Sequence, residues 1–364
     1  MSRTKLAPPE YVGFGMLTPV YIMALDKLPK HNTGAIVHEV SEYVYDDAAI
    51  IACNLRQWNV PTAMIGTAVG NDLLGHHVAD TLKAAGVQGA VRFTKKYKTP
   101  LEVNISDKKG ARTYFWQRSP EILSTLDTAD LSLIKKSKLL YVDWYDGDHI
   151  VRAMEAAKRH NIPVFLNFEH GHKHPDLLRT YSGLVTICQA VTDAAQIGKK
   201  QSMLSVARKL FNSGIKVALI TMASQGCMVV HGEEIIRVHA PKVKVVDGSG
   251  AGATFSSGFI YGYLNEFNLE DSVRFAIAAA SLKVTHSGLR MSPVREIKAL
   301  AKTLRVERMI YRGDQFHTIR KFLTLPKSGP LVDNVLVTEG RKFAEKFLPK
   351  KKMDRKKIKK SLVE

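Results

Sequence analysis

The chain has 364 residues, 45% of them hydrophobic and 24% charged, enough apolar material for a large core and unlike a disordered tail or a collagen-like repeat. Its formal net charge is +19, which favours anionic partners and says nothing about fold. Cys53, Cys188 and Cys227 lie in apolar surroundings at no short spacing, which argues against a disulfide framework or a close Cys-x-x-Cys metal clasp and points to a reducing compartment.

The first residues, MSRTKLAPPEYVGFGMLTPVYIM, place prolines where a signal peptide needs an unbroken apolar stretch. No window holds the run of about 18 apolar residues that would cross a bilayer. The expectation is a cytoplasmic protein without a transmembrane segment.

Between about residues 10 and 292, short β-branched runs alternate with segments of helical period, which predicts an α/β domain with a central, mostly parallel sheet. Leu139 to Trp144, Pro163 to Asn167, Leu184 to Cys188 and Val217 to Met222 read as strands. His149 to His160 and Leu204 to Phe211 read as helices, the former with Ile150, Met154 and Ala157 on one face. Two stretches break the alternation. Gly34 to Tyr45 and Val91 to Trp116, the latter turning at Asp107-Lys108-Lys109-Gly110, predict a small β lid with Tyr114, Phe115 and Trp116 packing it.

From residue 293 to 340 the regularity fades into a partly helical extension. Residues 341–364 carry eleven Lys/Arg against three acidic residues. This segment reads as a solvated tail, or as an anchor in which Arg341 to Lys360 engage nucleic acid or another anionic surface in a salt-sensitive way. No RNP, zinc-finger or KH signature accompanies it.

The most informative stretch is VKVVDGSGAGATFSSGFIYGYL, Val243 to Leu264. A β-branched run, read as a strand, ends at Asp247; Gly248, Ser249, Gly250, Ala251 and Gly252 follow. From about Ala253, Phe255, Phe259 and Tyr263 recur at helical spacing. Small residues let the backbone approach a ligand closely, and the helix start offers unpaired N–H groups and the positive end of its dipole. A tight turn needing glycine for packing alone would show the same residues singly. Five in succession favour a phosphate cradle at Ser249, Gly250, Ala251 and Gly252.

Here the sequence resembles the PfkB family of carbohydrate kinases, whose second signature runs Asp-Thr-x-Gly-Ala-Gly-Asp-x-Phe, against Asp247-Gly248-Ser249-Gly250-Ala251-Gly252-Ala253-Thr254-Phe255. Leu25-Asp26-Lys27-Leu28-Pro29 is similar to the family's turn before the lid strand. Gly66 to Gly75 is similar to its Gly-x-x-Gly-x-Asp-x-x-Gly segment, and Leu269 to Gly288 resembles the helix whose end lies against the nucleotide base. The resemblance implies a ribokinase-like three-layer α/β sandwich with a β lid, ATP or ADP with Mg²⁺ as cofactor, a sugar or nucleoside hydroxyl as phosphate acceptor, and dimerisation through the lid.

The residues that depart from the pattern imply the opposite of ordinary turnover. The family's acidic base falls at Ala253, which accepts no proton; Asp247 is the nearest substitute. At the acceptor pocket the family's paired glycines and asparagine fall at Tyr45-Asp46-Asp47-Ala48-Ala49-Ile50, and an aspartate of the first strand falls at Val20. Asp46 and Asp47 read as a solvated turn or as a grip on an amine-bearing ligand. The Asn-x-x-Glu motif that helps place magnesium becomes Gln189-Ala190-Val191-Thr192, without the carboxylate, and a Gly-x-x-Gly nucleotide turn becomes Ala223-Ser224-Gln225-Gly226. Glu169-His170-Gly171-His172-Lys173-His174 reads as a polar loop before it reads as a metal site. The expectation is a nucleotide- or phosphate-binding pseudoenzyme in a regulatory or scaffolding role. Its rival is an active kinase for an unusual substrate with a different catalytic acid; a pure interaction protein with a vestigial cradle is a third reading.

Overall fold

The computed structural model describes residues 7–45, 47–107, 112–191, 200–286, 288, 290–312 and 315–318. The basic segment 341–364 and Asp46 lie outside the described residues.

Six parallel strands form the middle of the molecule: β1 (Tyr11–Gly15), β4 (Thr62–Gly66), β9 (Leu139–Asp143), β10 (Val164–Glu169), β11 (Ile187–Val191) and β12 (Val217–Thr221), in the order β12-β11-β10-β9-β1-β4. Four antiparallel strands extend the same sheet beyond β12, namely β13 (Cys227–His231), β14 (Glu234–Val238), β15 (Val306–Arg312) and β16 (Gln315–Thr318). A separate sheet, ordered β3-β2-β7-β8, is made of β2 (Thr18–Leu25), β3 (Val37–Tyr45), β7 (Leu101–Asp107) and β8 (Arg112–Gln117). The short β5 (Val69–Gly70) and β6 (Phe93–Thr94) pair with each other. The helices are α1 (Asp47–Gln57), α2 (Leu73–Ala84), α3 (Val151–Arg159), α4 (Pro175–Ser182), α5 (Lys200–Asn212), α6 (Ala251–Leu264), α7 (Leu269–Lys283) and α8 (Val294–Thr303).

Period-two alternation divides the core between the two faces of the main sheet. Along β9, Leu139 and Tyr141 enter a cluster with Phe255, Phe259 and Ile260 of α6 and Phe275 of α7. Leu140 and Val142 point the other way, into a cluster with Met154 of α3, Leu178 of α4 and Leu210 of α5. Both faces are covered, so the parallel strands read as near-continuous apolar runs. This is the three-layer α/β arrangement, with its separate small sheet, that the resemblance implies.

Three local readings change. The Val243–Asp247 run forms no strand: Val245 and Val246 are exposed, and the N–H groups of Val246 and Asp247 donate to the Val284 carbonyl at 2.7 and 3.2 Å. A helix end, not a sheet neighbour, takes the hydrogen bonds that a β-branched run leads one to assign to a ladder. The lid sheet also recruits Thr18–Leu25, and Phe93–Thr94 joins β5 instead of the lid. Phe115 and Trp116 do not pack the lid but are more than half exposed, with Trp116 stacked on Tyr114.

Beyond Pro293 the chain remains regular as far as it is described. Helix α8 and the β15–β16 hairpin continue the main sheet past β14.

Candidate functional site

Helix α6 opens directly from the glycine turn. Gly250 is its N-cap in the left-handed region, with φ 71°, a conformation that glycine adopts without steric cost. The first helical hydrogen bond runs from Thr254 N to Gly250 O at 2.9 Å. The N–H groups ahead of it, at Gly252 and Ala253, have no carbonyl four residues earlier inside the helix to accept them. A Cβ built on Gly248 or Gly252 would meet nothing within 4 Å, so the turn has open space beside both glycines. Thr254, fully buried in the first turns, has a hydroxyl without a hydrogen-bond partner.

Asp247 sets the shape of this turn. Its Oδ1 accepts the Ser249 N–H at 2.8 Å, and its Oδ2 accepts Lys283 Nζ at 2.8 Å. The same ammonium donates to the Asp247 carbonyl at 3.2 Å. Burial alone would raise the Asp247 carboxyl; the hydrogen bonds from Lys283 and Ser249 outweigh it and hold the group below the usual carboxylate range. Tyr43, on lid strand β3, lies close enough for Asp247 to act on it. Burial and then the Asp247 charge push its phenol up to about 12.

Ala253 is 1% exposed, its methyl group within the core cluster that also holds Phe255 and Phe259. On the next turn, Ser256 donates to Gln189 Oε1 at 2.8 Å, and Ser257 accepts from Asn54 of α1 at 3.1 Å. Gln189 is thereby tied to α6, at the position where the resembled motif would serve a metal.

Gly226 follows β12 at φ 91°, and a Cβ there would stand 2.0 Å from the Val238 carbonyl oxygen. Its lack of a side chain is required by the strand backbone crossing it. The second glycine-rich segment is likewise a joint. Asp72 caps α2 by accepting Gly75 N at 2.9 Å, and it also accepts Thr99 N and Thr99 Oγ1.

The acceptor-pocket positions that are described stand on the lid strands and on α1. Ile50 packs in the core with Ala48 and Ala49, and Val20 lies buried on the lid with Ile22 and Tyr43. Tyr45 ends strand β3. Asp47 opens α1, and its carboxylate accepts Asn167 Nδ2 at 3.3 Å; the same amide donates to Asp143 at 2.9 Å. Sequence reasoning passed over Asp143, Asn167 and Tyr145. Asp143 is fully buried at the carboxyl end of β9, accepts Tyr145 N at 3.2 Å, and Tyr145 in turn donates its hydroxyl to Glu169. Burial, followed by the charge of Glu169 and its hydrogen bond, raises the Tyr145 phenol. The available signal was position alone: polar residues ending parallel strands face the edge where ligands of open α/β sheets bind.

The Glu169–His174 loop is built as a polar connection. His172 is buried with Nδ1 on the Glu169 carbonyl at 2.8 Å, and His174 stacks on Trp144. Among the described residues no three His, Cys, Asp or Glu side chains could hold a metal ion together. No helix among them is long and apolar enough to cross a membrane.

Comparisons with known proteins agree with this architecture. The sequence profile described as pfkB family carbohydrate kinase matches residues 26–295. The ATP-dependent 6-phosphofructokinase of Thermoanaerobacterium thermosaccharolyticum is 23% identical over 263 residues, covering 68% of this chain and 80% of that protein. A nucleoside kinase of Methanothermobacter thermautotrophicus is 24% identical over 273 residues, covering 74% of this chain and 87% of that protein. The structure of Arabidopsis thaliana ribokinase complexed with ribose and ATP superposes with a TM-score of 0.65 at 20% identity, over 81% of this chain and 99% of that one. With the matched segment running from the lid through the turn at Asp247 to the start of α8, the chain belongs to the PfkB family of carbohydrate kinases.

Proposed function

We propose that this chain binds a nucleotide or another phosphate-bearing ligand at Ser249, Gly250, Ala251 and Gly252, with Gly226 bordering the nucleotide side, and that phosphotransfer is lost or much reduced. The observation that carries the reading is Ala253, a buried methyl group where the resembled signature has its base. Asp247 does not replace it on chemical grounds. Both of its oxygens already accept hydrogen bonds, and its carboxyl is held low, which makes it a weak proton acceptor.

The unpartnered Thr254 hydroxyl and the open flank of Gly248 and Gly252 fit a phosphate group. ATP or ADP is the ligand that the family supplies. No carboxylate cluster for Mg²⁺ stands among the described residues, and Gln189 is engaged by Ser256; Mg²⁺ would therefore enter with the nucleotide. The role that follows is regulatory or scaffolding, in a cytoplasmic setting, with the basic sequence of residues 341–360 engaging an anionic partner such as nucleic acid. A homodimer through the lid belongs to the same reading.

One observation favours an active kinase instead. The buried Asp143 and the half-buried Asp47, both taking hydrogen bonds from Asn167, place two carboxylates at the carboxyl edge of the sheet, where another acid would have to act. Thermal-shift titration with ATP and ADP, with and without Mg²⁺, tests binding, since a ligand of the native state alone raises stability. ADP release over sugars, nucleosides and vitamin alcohols tests chemistry. Stabilisation without turnover supports the proposal; robust turnover replaces it with the second reading, and no stabilisation leaves the cradle vestigial.

A further inference from the structure

The ion pair between Lys283 and Asp247 is the most deeply buried one among the described residues, with side chains 1% and 11% exposed. Burying an ammonium is costly, and a buried pair is often no more stabilising than an apolar pair of the same shape. This one is placed with unusual economy. A single Nζ donates to two oxygens of one residue, the carboxylate Oδ2 at 2.8 Å and the backbone carbonyl at 3.2 Å. A cation gripping both closes the residue on itself, leaving Oδ1 to accept the Ser249 N–H two residues on. That hydrogen bond is the Asx turn from which Gly250 enters the left-handed region and α6 begins.

The opposite side of the same residue is held by the same helix end. Val284, the C-cap of α7, takes the N–H groups of Val246 and Asp247 on its carbonyl. The last residue of α7 and its cap therefore grip Asp247 from its carbonyl, carboxylate and amide at once. A positive charge at a helix C-terminus is also favoured by the helix dipole. Helices α6 and α7 pack closely, since a Cβ on Gly258 would stand 2.7 Å from Ala276 Cα, so the helix that carries the grip lies directly against the helix that leaves the turn.

We infer that Lys283 is a tethered monovalent cation, a positioning residue that holds the phosphate-binding turn in its open shape by coordinating Asp247, without itself touching the ligand. Its relevance to ligand binding rests on the proposed nucleotide reading; the ordering of the turn does not.

The test is Lys283→Met, which keeps the length of the stem and removes the charge. Hydrogen–deuterium exchange at the hydrogen-bonded amides of Ser249, Ala251 and Thr254 reads the turn directly, and ATP titration reads the ligand. The expected result is faster exchange at these amides and ATP affinity about ten- to a hundred-fold weaker, the size of losing hydrogen bonds to a charged group. Ammonium or potassium chloride should restore both, whereas tetramethylammonium chloride at the same ionic strength, too large for the vacated space, should restore neither. The unmodified chain should ignore all three salts. A merely structural lysine would lower stability without this selective rescue.

Should Lys283→Met fail to fold, the double variant Lys283→Met, Asp247→Asn leaves no lone buried charge. It should fold, exchange rapidly at the turn and show no response to ammonium. Exchange at the rate of the unmodified chain in either variant, or a folded Lys283→Met that no small cation rescues, overturns the inference. If the unmodified chain binds no ATP while the exchange of Lys283→Met still responds to ammonium, the nucleotide reading fails and this one stands.

Discussion

Asp72 and Thr99 are joined twice, the carboxylate accepting the Thr99 N–H at 2.9 Å and the Thr99 hydroxyl at 2.6 Å. With the cap on Gly75 N, one side chain fastens the start of α2 to the segment that enters lid strand β7. Asp72→Ala should lower stability by about 1–2 kcal/mol, in the range of a lost N-cap, while Asp72→Asn should lose less because its amide oxygen still caps. Urea midpoints would show it; equal midpoints for the two variants would mean that the cap carries no weight.

Gly226→Ala should destabilise by about 2 kcal/mol or more, since a positive φ is combined with a backbone oxygen that the new methyl group cannot avoid. Gly252→Ala, where a Cβ meets nothing within 4 Å, should leave the thermal midpoint nearly unchanged but weaken phosphate binding at the turn. The contrast between midpoint and ATP titration separates a glycine needed for folding from one needed for a ligand.

Ala253→Asp places a carboxyl in the core cluster at a position 1% exposed. Burial without a partner favours its neutral form and lowers the thermal midpoint. If the rest of the site is competent, ADP release with an accepted alcohol should rise about 10²-fold or more, the usual contribution of a general base. A folded variant with no gain over a broad acceptor panel would locate the lesion in the acceptor pocket.

Acid should weaken the fold through two histidines. Burial holds the imidazoles of His172 and His231 below the usual value. The native state therefore binds fewer protons than the unfolded chain, and the stability present above about pH 6.5 is lost as pH falls through the depressed values. Urea midpoints should drop between pH 7 and pH 5, and His172→Gln should flatten that slope. A slope untouched by the substitution would assign the acid sensitivity elsewhere.

The parallel core was legible because strands buried on both faces announce themselves as apolar runs: Leu139 to Trp144 and Val217 to Met222 each lie within a residue of their strands. The glycine turn was legible because small residues in succession have few other uses. Val243 to Asp247 misled because β-branched residues suit any extended backbone, and only the neighbouring helix decides where the hydrogen bonds go. The Lys283–Asp247 pair was invisible for a different reason. Its members stand 36 residues apart, and a lysine in an amphipathic helix carries no mark of facing inward.

The hairpin of β15 and β16 pairs with β14, which would otherwise finish the sheet at that flank. A chain trimmed at residue 295 would bare the polar ladder of Glu234–Val238 to any other strand in solution, an invitation to self-association. A start at residue 26 would remove Tyr11–Gly15, the strand seated between β4 and β9. The segment that advertises kinship is thus shorter than the segment able to stay dispersed, and boundaries for recombinant production belong outside it on both sides.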